Sequence, residues 1–168
     1  MLPTLPSPAA RRRLLLDVLA SGGAASIASS AALLAYGEVE CGDPAAPLNG
    51  PSQWVWGRGA PYRNGFSWRF TFVGFLVHHL ASTFWAVVYE GVRGRHARPG
   101  RIAVTAACVS AVACAVDYQL TPQRLTPGFE KRLSRRALAG VYVVFAAGLA
   151  AGALLRRDRL SAAVHRRA

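Results

Sequence analysis

Four long stretches of this chain contain no Lys or Arg and at most one acidic residue each, and nothing else constrains its fold so strongly. They run from Leu14 to Tyr36, Phe70 to Val92, Ile102 to Leu120 and Ala137 to Leu155. A helix needs about 20 predominantly apolar residues to cross a hydrocarbon core of roughly 30 Å. Water is absent there, so each segment must bond its own backbone, which selects the α-helix. The expected fold class is therefore all-α: an integral membrane bundle of four transmembrane helices forming a single domain over residues 1–168.

Composition supports this reading. A hydrophobic content of 52% beside a net charge of +12 is compatible with folding only when the two kinds of residue are segregated. Most arginines gather at 11–13, 93–101, 124–136 and 156–167, the borders of the apolar runs. That placement suits anionic lipid headgroups as the partner. It argues against nucleic acid, which calls for one continuous basic face. Nineteen of the twenty basic residues are Arg, which with the abundant Ala and Gly reads as GC-rich coding and a bacterial source. Counted by side, the Lys and Arg divide twelve to eight in favour of both termini in the cytoplasm. The expected location is thus the bacterial inner membrane, with several passes.

Two segments leave alternatives open. The first apolar run follows Arg11, Arg12 and Arg13 directly, so it reads either as a retained helix or as a cleaved secretory signal. In the third loop, Pro122 stops the preceding helix and Thr126 with Pro127 reads as a helix start. Leu125, Phe129 and Leu133 recur every fourth residue there, opposite Arg132 and Arg136. This predicts a short amphipathic helix over about 127–136 lying at the interface, its arginines on headgroups. The outer loop, residues 37–69, holds Pro44, Pro47, Pro51 and Pro61 together with Trp54, Trp56, Tyr62 and Trp68, and is expected to fold over the bundle as an aromatic cap.

Small residues let helices approach closely in lipid. Gly148 with Gly152, and Ser26 with Ser30, form such pairs and support a bundle, with a homo-oligomer also possible. Cys108 and Cys114 read as small packing residues, while Cys41 is either free or a bridge between protomers; none has a disulfide or zinc spacing.

Ionisable residues inside spanning segments are costly, so each is a functional candidate. Asp17 reads as a charge in the first turn of its helix, and Glu90 as one half of a solvated or interfacial pair with Arg93. Asp117 stands near a helix C-terminus, where the dipole disfavours an anion, and needs a partner. A rise of about 1.5 Å per residue brings His78, His79 and Tyr142 to its depth. A cluster of His78 or His79 with Asp117 and Tyr142 is the sharpest expectation, closed by an arginine of the third loop. Adjacent residues point about 100° apart, so the histidines belong to separate stripes: His79, Thr83, Ala86 and Glu90, and His78, Ser82, Trp85 and Tyr89. Glu90, Arg93 and Thr83 are secondary candidates. No metal site is expected, since HExxH and similar spacings are missing, and no catalytic motif was found, which favours a non-enzymatic role. Haem is the alternative cofactor. His96 and His165 lie outside the apolar runs, so only a dimer supplies two axial histidines.

The order of elements, with the stretch GFLVHHLASTFWAVVYE in the second helix, resembles the YagU-like family of small bacterial inner-membrane proteins of unknown function. The resemblance implies an inner-membrane placement and brings no established catalytic residues. Two functions follow as expectations: a small membrane module for passage of a small solute or proton, or a structural membrane subunit. The alternative is a haem-binding redox subunit.

Overall fold

The computed structural model of the chain describes residues 7–94 and 97–165, with side chains described as far as Arg157. His96 and the side chain of His165 therefore lie outside the described residues. Among the described residues there is no strand, and four helices are long and apolar enough to cross a membrane. Six α-helices occur among the described residues: α1 (Pro8–Cys41), α2 (Ala45–Asn49), α3 (Gln53–Trp56), α4 (Val73–Arg93), α5 (Pro99–Ala115) and α6 (Arg135–His165). A π-helical turn at Trp68–Phe72 leads into α4, and another at Val116–Leu120 prolongs α5.

The helix limits follow from local chemistry. Ser7 caps α1, its hydroxyl oxygen accepting from the Ala10 N–H, and Pro8 occupies the first helical position. The helix ends at Gly42, whose φ of 63° lets its N–H return to the Glu38 and Gly37 carbonyls. So α1 extends past the expected 14–36 at both ends. Asp17 consequently sits in the third turn, not the first, and pairs with Arg156 at 3.0 Å.

α1 is the hub of the bundle, and small residues make it so. A Cβ built at Gly148 would stand 2.5 Å from Ala25 Cα, and one at Gly152 would stand 2.5 Å from the Ala20 carbonyl oxygen. The small-residue pair of α6 thus joins α1 within the chain. A Cβ built at Gly22 of α1 would stand 3.0 Å from Thr83 Cα and 3.2 Å from Ala86 Cβ of α4. Leu76, Leu80, Phe84 and Val87 of α4 face outward, as do Val104 and Val112 of α5 and Val143 of α6, the surface expected toward lipid. Cys108 is also exposed, so it does not pack in the interior as expected; it lies on an outward face of α5.

The outer loop is folded. Residues 45–53 are buried in succession and form a plug under which Asn49 donates to the Arg63 and Gly65 carbonyls and accepts from the Thr71 hydroxyl. This plug locks onto the third loop. Gln53 donates to the Thr126 carbonyl at 2.6 Å, Trp54 Nε1 to the Leu125 carbonyl at 2.9 Å, and Cys41 to the Arg132 carbonyl. Around it stand exposed aromatics, among them Trp56, Tyr62 and Trp68.

The interfacial helix expected over 127–136 does not form. Gly128 adopts a φ of 81° and its own backbone packs on Gly50, which leaves only a 3-10 turn at Phe129–Lys131. The helix start also shifts. Thr126 bonds Gln123 and Glu130, whereas Ser134 accepts from the Ala137 N–H and opens α6, and Glu40 of α1 accepts from both the Ser134 N–H and its hydroxyl. Arg132 serves the cap too, donating to the Pro61 carbonyl and the Asn64 side chain.

Candidate functional site

Beneath the plug the four long helices enclose a cavity. Ser29 comes from α1, His78, Ser82 and Trp85 from α4, Tyr142 and Phe145 from α6, and Asp117 from the π turn after α5; Trp54, Leu125 and Phe129 close it from the loops. Its enclosed part admits the centres of water molecules over about 50 Å³. One water takes roughly 10–15 Å³ on that measure, so several fit. Trp54 and Leu125 are both exposed as well as lining the cavity, which puts its mouth at the edge of the cap.

The polar groups are held from below and from the side. Tyr142 donates its hydroxyl to Asp117 at 2.6 Å, while its own carbonyl accepts from Ser110 and its ring meets Tyr118 edge-on. The π turn supplies the position of Asp117: an extra residue per turn rotates the chain at the helix end, and Thr121 ties back to the Val116 carbonyl through both its N–H and its hydroxyl. His78 Nε2 lies 2.8 Å from the Ser29 hydroxyl, and its ring meets Phe129 edge-on. That hydroxyl is also 2.7 Å from the Ala25 carbonyl. Having one proton, it either donates to Ala25 and accepts from the imidazole or donates to the imidazole, so the tautomer of His78 and the rotor of Ser29 change together.

His78, Asp117 and Tyr142 therefore line one cavity, and His79 does not. The His79 ring stacks on Phe75 at 5.8 Å and its buried Nδ1 finds no partner among the described residues. Thr83 donates to the His79 carbonyl and packs against α1, away from the cavity. The expected arginine closure is missing as well. Among the described residues Asp117 has no ion pair, and Arg132 of the third loop is engaged with the first loop instead.

Glu90 and Arg93 lie at the opposite end of the bundle. They pair as expected, but the pair is buried, not solvated, with side-chain exposures of 2% and 9%. Ser21 of α1 donates to the second Glu90 oxygen, and Arg93 also lies over the Tyr89 ring. Ser21 is available there because α1 passes directly alongside α4, and this proximity is invisible in either segment alone. Ser29 and Trp54 were not foreseen for the cavity. The run of serines at 21, 26, 29 and 30 in an apolar helix was the available signal for the first; Trp54 read only as an interface aromatic.

Compared with known family models, with curated proteins and with solved structures, the chain matches none of them.

Proposed function

We propose that the chain is a non-enzymatic, multi-pass protein of the bacterial inner membrane that supports passage of a proton or small solute through the cavity under the cap. One observation carries this reading: a single cavity within the span holds His78, Ser29, Asp117 and Tyr142 together, drawn from all four long helices. Ionisable groups turned inward on such a space are the usual elements of a proton or solute path. Histidine adds a group that can hold a proton on either ring nitrogen and pass it on. The bacterial source, the inner membrane and the cytoplasmic termini rest on the arginine-rich composition, the charge count and the likeness to the YagU-like family.

The alternative is a redox subunit that holds haem between two protomers through His78 or His79, since the described residues of one chain offer no pair of axial histidines. Within one chain His78 Nε2 faces Ser29. His79 presents no second ligand to the same space.

The test is proton flux into liposomes containing the purified protein, read with a pH-sensitive dye. Asp117→Asn and His78→Ala are expected to lower flux at least about tenfold, the size of a lost relay partner at about 1.4 kcal/mol per decade. His79→Ala leaves it within about twofold. Equal loss for both histidines, or no flux above empty liposomes, overturns the proposal.

A further inference from the structure

We infer that the cavity is a binding site for a small organic cation, an ammonium carrying a few methyl groups; this deepens the passage reading and rests on it. The argument begins with charge. The chain has twenty basic residues against eight acids, yet the cavity lining contains one carboxylate and no Lys or Arg. Asp17, Glu90 and Glu130 each have a basic neighbour, namely Arg156, Arg93 and Lys131. Asp117 has a tyrosine hydroxyl and no basic partner among the described residues. An anion withdrawn from water without a counter-ion is unfavourable, and a cation that enters beside it relieves that cost.

The walls narrow the class. Trp54, Trp85, Phe129, Tyr142 and Phe145 surround the space, so aromatic rings make up much of its lining. Aromatic faces attract weakly hydrated cations, and cages of this composition recognise methylated ammonium groups. Sodium or potassium would need several oxygen ligands to replace its hydration shell, and the hydroxyls of Ser29, Ser82 and Tyr142 are already bonded to the Ala25 carbonyl, the His78 carbonyl and Asp117. Size sets the upper limit, since the room is that of several waters. A neutral solute of that size fits the rings equally well but leaves the carboxylate uncompensated.

Proton coupling follows from the same geometry. The titratable groups around Asp117 are His78, Cys114, Tyr118, Glu130 and Tyr142. Only His78 becomes positive on protonation. A proton taken up on Asp117 cancels the charge that the ligand otherwise compensates, so proton and organic cation compete.

The experiment uses the full chain in a neutral maltoside detergent and follows tryptophan fluorescence, because Trp54 and Trp85 line the cavity. Tetramethylammonium, sodium and tert-butanol are the probes at pH 8. Expected is a saturable response to tetramethylammonium only, weakened as the pH is lowered, and reduced at least about tenfold in Asp117→Asn, or about 1.4 kcal/mol. Trp85→Phe lessens the amplitude. An equal response to tert-butanol, none to tetramethylammonium, or full retention in Asp117→Asn overturns the inference. The probe comparison needs only the unaltered protein, so a variant that fails to fold does not protect it. Proton flux measured on the same preparation separates the two ideas. Flux without a tetramethylammonium response removes the ligand alone, a response without flux removes passage alone, and loss of both removes both.

Discussion

The two ends of the bundle treat buried charge in opposite ways. At the end away from the cap, Glu90 is matched with Arg93 and Ser21, so each carboxylate oxygen has a donor and the charge has a counter-charge. Under the cap, Asp117 has a tyrosine hydroxyl, a nearby space for water and no counter-charge among the described residues. A compensated pair holds helices together and has no spare capacity. An uncompensated acid beside a cavity stabilises nothing by its charge, yet it is available to a proton or a cation. The contrast leaves one end closed to further partners and the other with an acid that has room for one.

Three changes break or sharpen this contrast. The largest effect is expected at the compensated end, where Glu90→Gln leaves the Arg93 guanidinium buried without its partner. Removing one member of such a pair costs about 3–5 kcal/mol. Thermal unfolding in detergent should show a large fall in midpoint or a loss of folded yield; an unchanged midpoint would mean that the pair is solvated after all.

Asp117→Asn gives an intermediate effect of opposite sign. It removes a charge that lacks a counter-ion while keeping an acceptor for Tyr142, so the midpoint holds or rises by the equivalent of about 1 kcal/mol. The same thermal assay reads it, and a fall comparable to that of Glu90→Gln would erase the distinction between the ends.

Ser29→Ala is the smallest. A single hydrogen bond between membrane helices contributes about 0.6–1.7 kcal/mol, so stability changes little. The imidazole does lose its only polar partner from α1. The signature is therefore a displaced His78 titration in histidine NMR with near-normal stability, and an unmoved titration would show that Ser29 does not hold the ring.

Much of the architecture could be read from the chain because it depends on runs of one residue type. Four apolar segments without Lys or Arg and with basic borders leave the backbone no alternative to helix in a lipid phase. The polar stripes of α4 were legible for the same reason: at 3.6 residues per turn, placing His78 and His79 on a helix decides what shares their faces. The third loop misled because Leu125, Phe129 and Leu133 have helical spacing. Their neighbour Gly128 instead turns into the left-handed region, where its backbone meets Gly50 of the plug. A contact between residues 78 positions apart outweighed a local pattern, and Phe129 went to the cavity wall beside His78.

By itself, then, the sequence determined that the chain is helical, how many long apolar helices it has, and which few ionisable residues they carry, since each of these depends on composition over a single segment. Only the tertiary structure decided that His78 and not His79 faces Asp117 and Tyr142 across a common space, that Glu90 meets Ser21, and that Arg132 is spent on the cap. Those choices belong to helix rotation and to the depth at which α1 passes its neighbours, set by close contacts at Gly22, Gly148 and Gly152 between segments far apart in the chain.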